Sequence, residues 1–476
     1  LLAWIEKYGE IPACKTCNET PADAVLKPDL SWVEKSNMNA SLKKKINEIY
    51  TNRHQGEHFY IAMFPGVGNP DFRNEKSYSD MPYPDAGFRL LSLYRYWNMI
   101  QYFFPNKHLT DKNWNSVLKE YIPIFVSAEN KLEYELAALQ IIGDVGDTHA
   151  NLWGGKDKVE ELRGNMYAPF RVQFIEKKIV VTDYYNPELK ESAGLEIGDI
   201  ITHINGKTIE FLVDSLKKHY PASNEAARLR DISADLLRSQ KQSINIEYIS
   251  SNQPGQKELT LYNRTGLNMY HWYKVNKDEK CYKLLDGNIG YVTLASIKDE
   301  DVPVIKESFK NTKGIIIDIR NYPSAFMPFS LAPYFVSSPT PFVKFTKGNS
   351  NNPGEFTFTP ALKIPGSGET YQGKLVVIVN ELSQSQAEYT AMAFRAGENT
   401  TIVGSTTAGA DGNVSTILLP GGLRTMISGI GIYYPDGKET QRIGIVPDVK
   451  IEPTINGIKN GKDEVLEKAT EIINKQ

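Results

Sequence analysis

The chain has almost no net charge, few cysteines and no long apolar run, and each shortage removes a class of function. Its 54 basic residues are set against 57 acidic ones, for a formal charge of -3. No global field therefore draws it to nucleic acid or to an anionic membrane surface. No apolar stretch is long enough to cross a bilayer, so stable membrane insertion is not expected of this chain. Three cysteines make no disulfide framework. Cys14 and Cys17 form one CxxC, open to free thiols, a local disulfide or part of a metal site, for which only Cys281 remains. The first residue is Leu1 rather than Met, which leaves room for a removed targeting segment.

What is present describes a folded, multidomain protein. Hydrophobic residues make up 41% and charged residues 23% of 476, a balance that excludes a disordered chain and can fill two to four cores. Residues 1–80 read as an N-terminal segment with a short helix (LLAWIEKYG) and a strand-like HFYIAMF. Residues 81–160 read as a helical subdomain: FRLLSLYRYWNMIQYFF, WNSVLKEYIPIFVSA and KLEYELAALQIIGDV each place apolar residues at three-to-four spacing. They run into a Gly-rich and Asp-rich loop, GDVGDTHANLWGG, which carries His149. Residues 165–263 alternate short strands and turns around one or two helices. Residues 265–476 alternate strands (NIGYVTLAS, KGIIIDIRN, KLVVIVNE, TTIVGST) with helices at Asp301 to Asn311, near PFSLAPYFV and after Gln386, which predicts a largely parallel α/β layer. Glycine-rich hairpin material and a last helix near DEVLEKATEII follow.

Chemistry concentrates where KLVVIVNE gives way to the helix QAEYTAMAFRAG, with Ser383 and Ser385 between them. A serine at such a junction either caps the helix or acts as a nucleophile. The second role needs a base for its proton and donors for a developing oxyanion, and the unpaired N–H groups of a helix start, Gln386 first, supply donors.

AGLEIGDIITHINGKTI resembles a PDZ domain, with Gly194 and Gly198 at tight turns and Asp199 opening a strand. The resemblance implies recognition of an extended peptide or chain terminus by strand addition. Taken with KGIIIDIRNYPSA, the serine region and the closing IGIVPDV, the sequence from about Gly87 onward resembles the carboxyl-terminal processing serine peptidases. That family implies a multidomain α/β and α+β fold: a helical N-terminal subdomain, a PDZ-like β-rich domain and a ClpP/crotonase-like catalytic domain. It makes Ser385, three residues before Glu388, the nucleophile. The branch that activates serine with lysine would carry it at Ala410, but no lysine lies between Leu375 and Lys438. The tricorn-core-like branch instead uses a histidine oriented by a late glutamate. His149 matches that histidine, with Thr148 at the place of a small hydroxyl residue. The glutamate position holds Gln441, with Glu439 two residues earlier, and in a regular strand both would face the imidazole. Where relatives carry glycines after the strand ending in DIRN, this chain has Tyr322-Pro323-Ser324-Ala325. Proline has no N–H, so Ser324 joins Gln386 as an expected oxyanion donor.

The resemblance implies a serine endopeptidase that cleaves peptide bonds in unfolded or C-terminal segments, needs no cofactor or metal, and works in the periplasm or cell envelope. The alternative is an inactive peptide- or ligand-binding protein on the same fold. One decoy is His54-Gln55-Gly56-Glu57-His58, which has the H-x-x-E-H spacing of a zinc peptidase but a glycine at its centre. His108, His203, His219 and His271 read as surface or packing histidines.

Overall fold

The computed structural model describes residues 1–7, 9–154, 157–269 and 279–475; His271 lies outside the described residues. Three helices follow the N-terminal segment: α1 (Ala86–Phe103), α2 (Trp114–Ser127) and α3 (Lys131–Gly143). Each starts on a side-chain cap, Asp85, Asn113 or Asn130, that accepts an N–H of the first turn. Tyr96, Phe125, Tyr134 and Ile142 form their shared core, and Ile417, Leu419 and Ile427 of a later hairpin belong to the same cluster. The loop after α3 is thereby pressed against that hairpin.

The second unit is an antiparallel sheet with strands in the order β1 (Phe170–Ile175), β2 (Lys178–Tyr184), β3 (Ile200–Ile204), β4 (Ser243–Ser250) and β5 (Gln253–Thr260). Between β3 and β4 run α4 (Ile209–Leu216) and α5 (Glu225–Asp235). Alternation buries one face: Ile179, Val181, Ile201, Ile204 and Ile246 meet Ile232 of α5 in a separate core. β1 is an edge strand, with α5 packed alongside it.

The third unit is a sheet ordered β6 (Tyr282–Leu285), β7 (Ile289–Thr293), β8 (Gly314–Asp318), β10 (Lys374–Val379), β11 (Thr400–Gly404) and β14 (Val449–Lys450), with β9 (Thr340–Gly348) outside it. All its pairings are parallel except β6 with β7. The central strands are apolar throughout because helices cover both faces. α6 (Asp301–Phe309) and α7 (Gln386–Arg395) lie on one side, and α8 (Glu464–Asn474) lies on the other. The hairpin β12 (Val414–Leu419) and β13 (Leu423–Ser428) leaves this layer to meet the helical unit. The fold class matches the sequence expectation. One predicted helix does not form: PFSLAPYFV keeps only a 3-10 turn at Ala332–Phe335, since Pro333, in the middle of that segment, has no N–H for the Phe329 carbonyl and its ring would clash with it in an α-helix. Among the described residues no helix is long and apolar enough to cross a membrane.

Candidate active site

β10 is buried along nearly its whole length and ends in a tight turn. Ser383 is consumed there: its hydroxyl donates to the Ile319 carbonyl at 2.7 Å and accepts from Asn380 N–H at 3.1 Å. Ser385 is half-buried and sits at φ 58°, ψ -121°, immediately before α7. This backbone state is costly for any residue with a Cβ and is typical of a nucleophile on a strained strand-to-helix turn. Its N–H is shared between the Ala410 carbonyl (2.9 Å) and Glu388 Oε2 (3.2 Å). The next amide, Gln386 N–H, opens the helix without an intrahelical partner, and the Gln386 side chain donates to the Ala325 carbonyl at 3.1 Å.

Glu388 is fully buried and holds the facing loop in place. It accepts from Thr407 Oγ1 at 2.5 Å, Gly409 N–H at 2.8 Å and Ala410 N–H at 3.0 Å. Burial raises its pKa, although these donors oppose the rise. Asp411, next to Ala410, is buried with Oδ2 unpartnered, and burial followed by the nearby Glu388 pushes its carboxyl well above the usual range.

His149 stands on the loop after α3 and is 8% exposed. Its Nδ1 lies 2.9 Å from Ser428 Oγ, at the end of β13, and 3.6 Å from Asp147 Oδ1. Asp147 is wholly buried and accepts from His149 N–H (3.0 Å), Ser428 Oγ–H (3.0 Å) and Ser428 N–H (2.6 Å). Burial alone would raise its pKa, but the bonds and charge from His149 and the Ser428 donor hold it below the ordinary value. His149 Nε2 makes no hydrogen bond among the described residues, and none joins His149 to Ser385. Their loops are nonetheless neighbours, because Thr148 Oγ1 donates to the Ala408 carbonyl (3.4 Å) and Ala408 N–H donates to the Ser383 carbonyl (3.0 Å).

Three expected site residues are used elsewhere. Ser324 N–H donates to the Leu294 carbonyl at 2.9 Å, so it is not available as an oxyanion donor. Glu439 pairs with His108 Nε2 at 2.5 Å, and Gln441 Nε2 reaches Ser223 Oγ at 3.4 Å. The segment is not a regular strand: Glu439 makes an isolated bridge to Tyr433, and a turn with Arg442 at φ 66° follows, so residues two apart no longer share a face. His108 is therefore a hydrogen-bond partner of Glu439 rather than a plain surface histidine. Sequence reasoning missed Asp147, Ser428 and Ser223. Asp147 was visible two residues before His149, whereas no local signal marked the other two. The HQGEH stretch is not helical, and its imidazoles meet the Glu57 carbonyl and Asn351.

A parallel sheet with a serine on the strained turn into its central helix has the layout of an α/β serine hydrolase. Residues 288–451 match the model for Peptidase family S41. The chain is 24% identical over 285 residues to a CtpA-like serine protease of Staphylococcus haemolyticus, covering 58% of this chain and 50% of that protein. It is 25% identical over 194 residues to a carboxy-terminal-processing protease of Bartonella bacilliformis, covering 38% and 43%. The chain thus spans about half the length of the curated relatives it matches. The solved structure of mature CPAF complexed with lactacystin shares the fold at a TM-score of 0.64 and 15% identity, over 82% of this chain and 99% of that one.

Proposed function

We propose that the protein is a serine endopeptidase acting on unfolded or C-terminal segments, with Ser385 as nucleophile and His149 as general base. The observation that carries this reading is the backbone of Ser385, held at φ 58°, ψ -121° at the mouth of a helix whose first amide is free. In the reaction Ser385 Oγ attacks the peptide carbonyl while its proton passes to His149 Nε2. The carbonyl electron pair moves to oxygen, facing the Gln386 N–H. Collapse expels the amine, which takes the proton from Nε2, and water repeats the cycle to free Ser385.

The β-rich unit is proposed to recruit substrate. A cavity of about 840 Å³ lies between the free edge of β1, α5 and the ends of β8 and β10. It is lined by Phe170, Arg171, Leu229, Arg230 and Glu381, and an added peptide strand fits such an edge-and-helix groove. An extracytoplasmic, envelope location is supported by the Cys14–Cys17 disulfide, since such bonds persist in oxidising compartments.

The test is covalent labelling with a fluorophosphonate from about pH 6 to about pH 9, the range over which a histidine base becomes neutral. Labelling of the parent chain, lost in Ser385→Ala and strongly slowed in His149→Gln, supports the peptidase. The absence of a direct Ser385–His149 hydrogen bond favours one other reading, a peptide binder on the same fold, and a parent chain that never labels would establish it.

A further inference from the structure

We propose that Asp147, acting through the Ser428 hydroxyl, is the positioning carboxylate of His149 and fixes its base tautomer. This rests on the reading of Ser385 and His149 as nucleophile and base, and it fills the role for which the sequence offers only Glu439 or the uncharged Gln441.

The protons can be counted. An ionised carboxylate only accepts, and Asp147 receives the His149 N–H, the Ser428 N–H and the Ser428 hydroxyl. The hydroxyl has one proton, and Asp147 Oδ1 takes it at 3.0 Å. At its 2.9 Å contact with His149 Nδ1, Ser428 Oγ can therefore only accept. Nδ1 must carry the ring proton, which leaves the Nε2 lone pair for the serine. The opposite tautomer would place two lone pairs face to face inside a buried site. The direct Nδ1 to Asp147 separation of 3.6 Å is too long for a hydrogen bond, so the hydroxyl is the mechanical link. Charge still acts across that gap. When Nε2 takes the Ser385 proton, the imidazolium forms beside a buried carboxylate that stays ionised, and no proton crosses Ser428.

The fold explains why these residues meet. Asp147 and His149 share the loop after α3, and Trp153 anchors that loop to β13 by donating its backbone N–H to the Arg424 carbonyl at 2.9 Å and its indole N–H to the His149 carbonyl at 2.9 Å. Ser428 ends the same strand. Glu439 and Gln441 hydrogen-bond instead to His108 and Ser223.

The test combines histidine nitrogen NMR on the intact chain with the rate of fluorophosphonate labelling. The His149 signals are assigned by their loss in His149→Gln. In the parent, the neutral ring is expected as the Nδ1–H form. Ser428→Ala is expected to mix the tautomers and slow labelling about tenfold, Ser428→Thr to restore both within about threefold, and Asp147→Asn to slow labelling a hundredfold or more, roughly the scale on which a misoriented base costs rate. If Asp147→Asn does not fold, the parent tautomer and the Ser428 pair still decide. An Nε2–H ring in the parent, or parent-rate labelling with an unchanged tautomer in Ser428→Ala, overturns the proposal. A parent that shows the Nδ1–H ring but never labels at Ser385 overturns the peptidase reading instead.

Discussion

Ser385 pays for its position with backbone strain. A residue with a Cβ at φ 58°, ψ -121° costs on the order of 1–3 kcal/mol, and glycine does not share that cost. Ser385→Gly should therefore abolish labelling while raising stability by about 1 kcal/mol, measured by urea unfolding. Asp411 makes a second, opposite demand on the same loop. Its carboxyl is raised by burial and by Glu388, so its contribution to stability is whole below the unfolded carboxyl pKa of about 3.9 and is lost as pH rises through the higher folded value. Asp411→Asn should unfold like the parent near pH 4 but at higher urea than the parent near pH 8, since the amide carries no charge to bury. Equal midpoints at both pH values would show that Asp411 ionises without cost. At this scale the sequence was half legible. Ser385 and His149 sit in local motifs that announce themselves, whereas the use of Asp147 depends on Ser428, 281 positions away, and that contact is set by packing of the hairpin on the helices. Ser324 was misjudged because a free-looking amide after proline is spent on Leu294, a pairing that no local pattern reveals.

The elements that carry the site were far easier to read. Apolar runs and three-to-four spacing predicted α1, α2, α3, β10 and α7 almost to their ends, because hydrophobic period and capping residues act locally. The turn at Glu439 to Arg442 could not be read the same way, since its shape comes from Arg442 reaching Asp111 at 2.8 Å, the Leu109 carbonyl and the Ser223 carbonyl. How the elements join is testable at α5. Asn224 caps that helix by accepting Ala227 N–H at 2.9 Å, and its amide also donates to the Thr407 carbonyl at 2.8 Å, on the loop that Glu388 braces. Asn224→Ala should cost about 1–2 kcal/mol in urea unfolding and also slow labelling, whereas a cap that served α5 alone would leave the labelling rate untouched. Parallel strands set a harder limit at Gly404, where an added Cβ would lie 1.9 Å from the Val379 carbonyl oxygen at φ 130°. Gly404→Ala should lose more than about 3 kcal/mol, seen as a large drop in melting temperature.

Across the whole molecule, two of the contacts between the β-rich unit and the proposed catalytic residues have different consequences. Ser223 meets Thr148 beside His149: its hydroxyl accepts Thr148 N–H at 2.9 Å, and its own N–H donates to Thr148 Oγ1 at 2.9 Å. On the other side Arg230 of α5 donates to the Glu381 carbonyl at 2.8 Å, four residues before Ser385. Arg230 and Glu381 both line the 840 Å³ cavity, so a chain end lying between β1 and α5 would touch the turn that leads to Ser385. Arg171, on β1, lines the same cavity; burial lowers its pKa while the charges of Tyr185, Glu381 and Asp183 oppose the drop, and we propose it as the cation that a peptide carboxylate meets. A peptide with an apolar last residue and a free carboxylate should therefore bind the intact Ser385→Ala chain, as read by fluorescence anisotropy. Amidating the peptide, or Arg171→Ala, should each weaken it about tenfold, or about 1.4 kcal/mol, with no further loss when both are combined. Equal affinity for the free and amidated peptides would remove the carboxylate from recognition. Additive losses would place that carboxylate on some group other than Arg171.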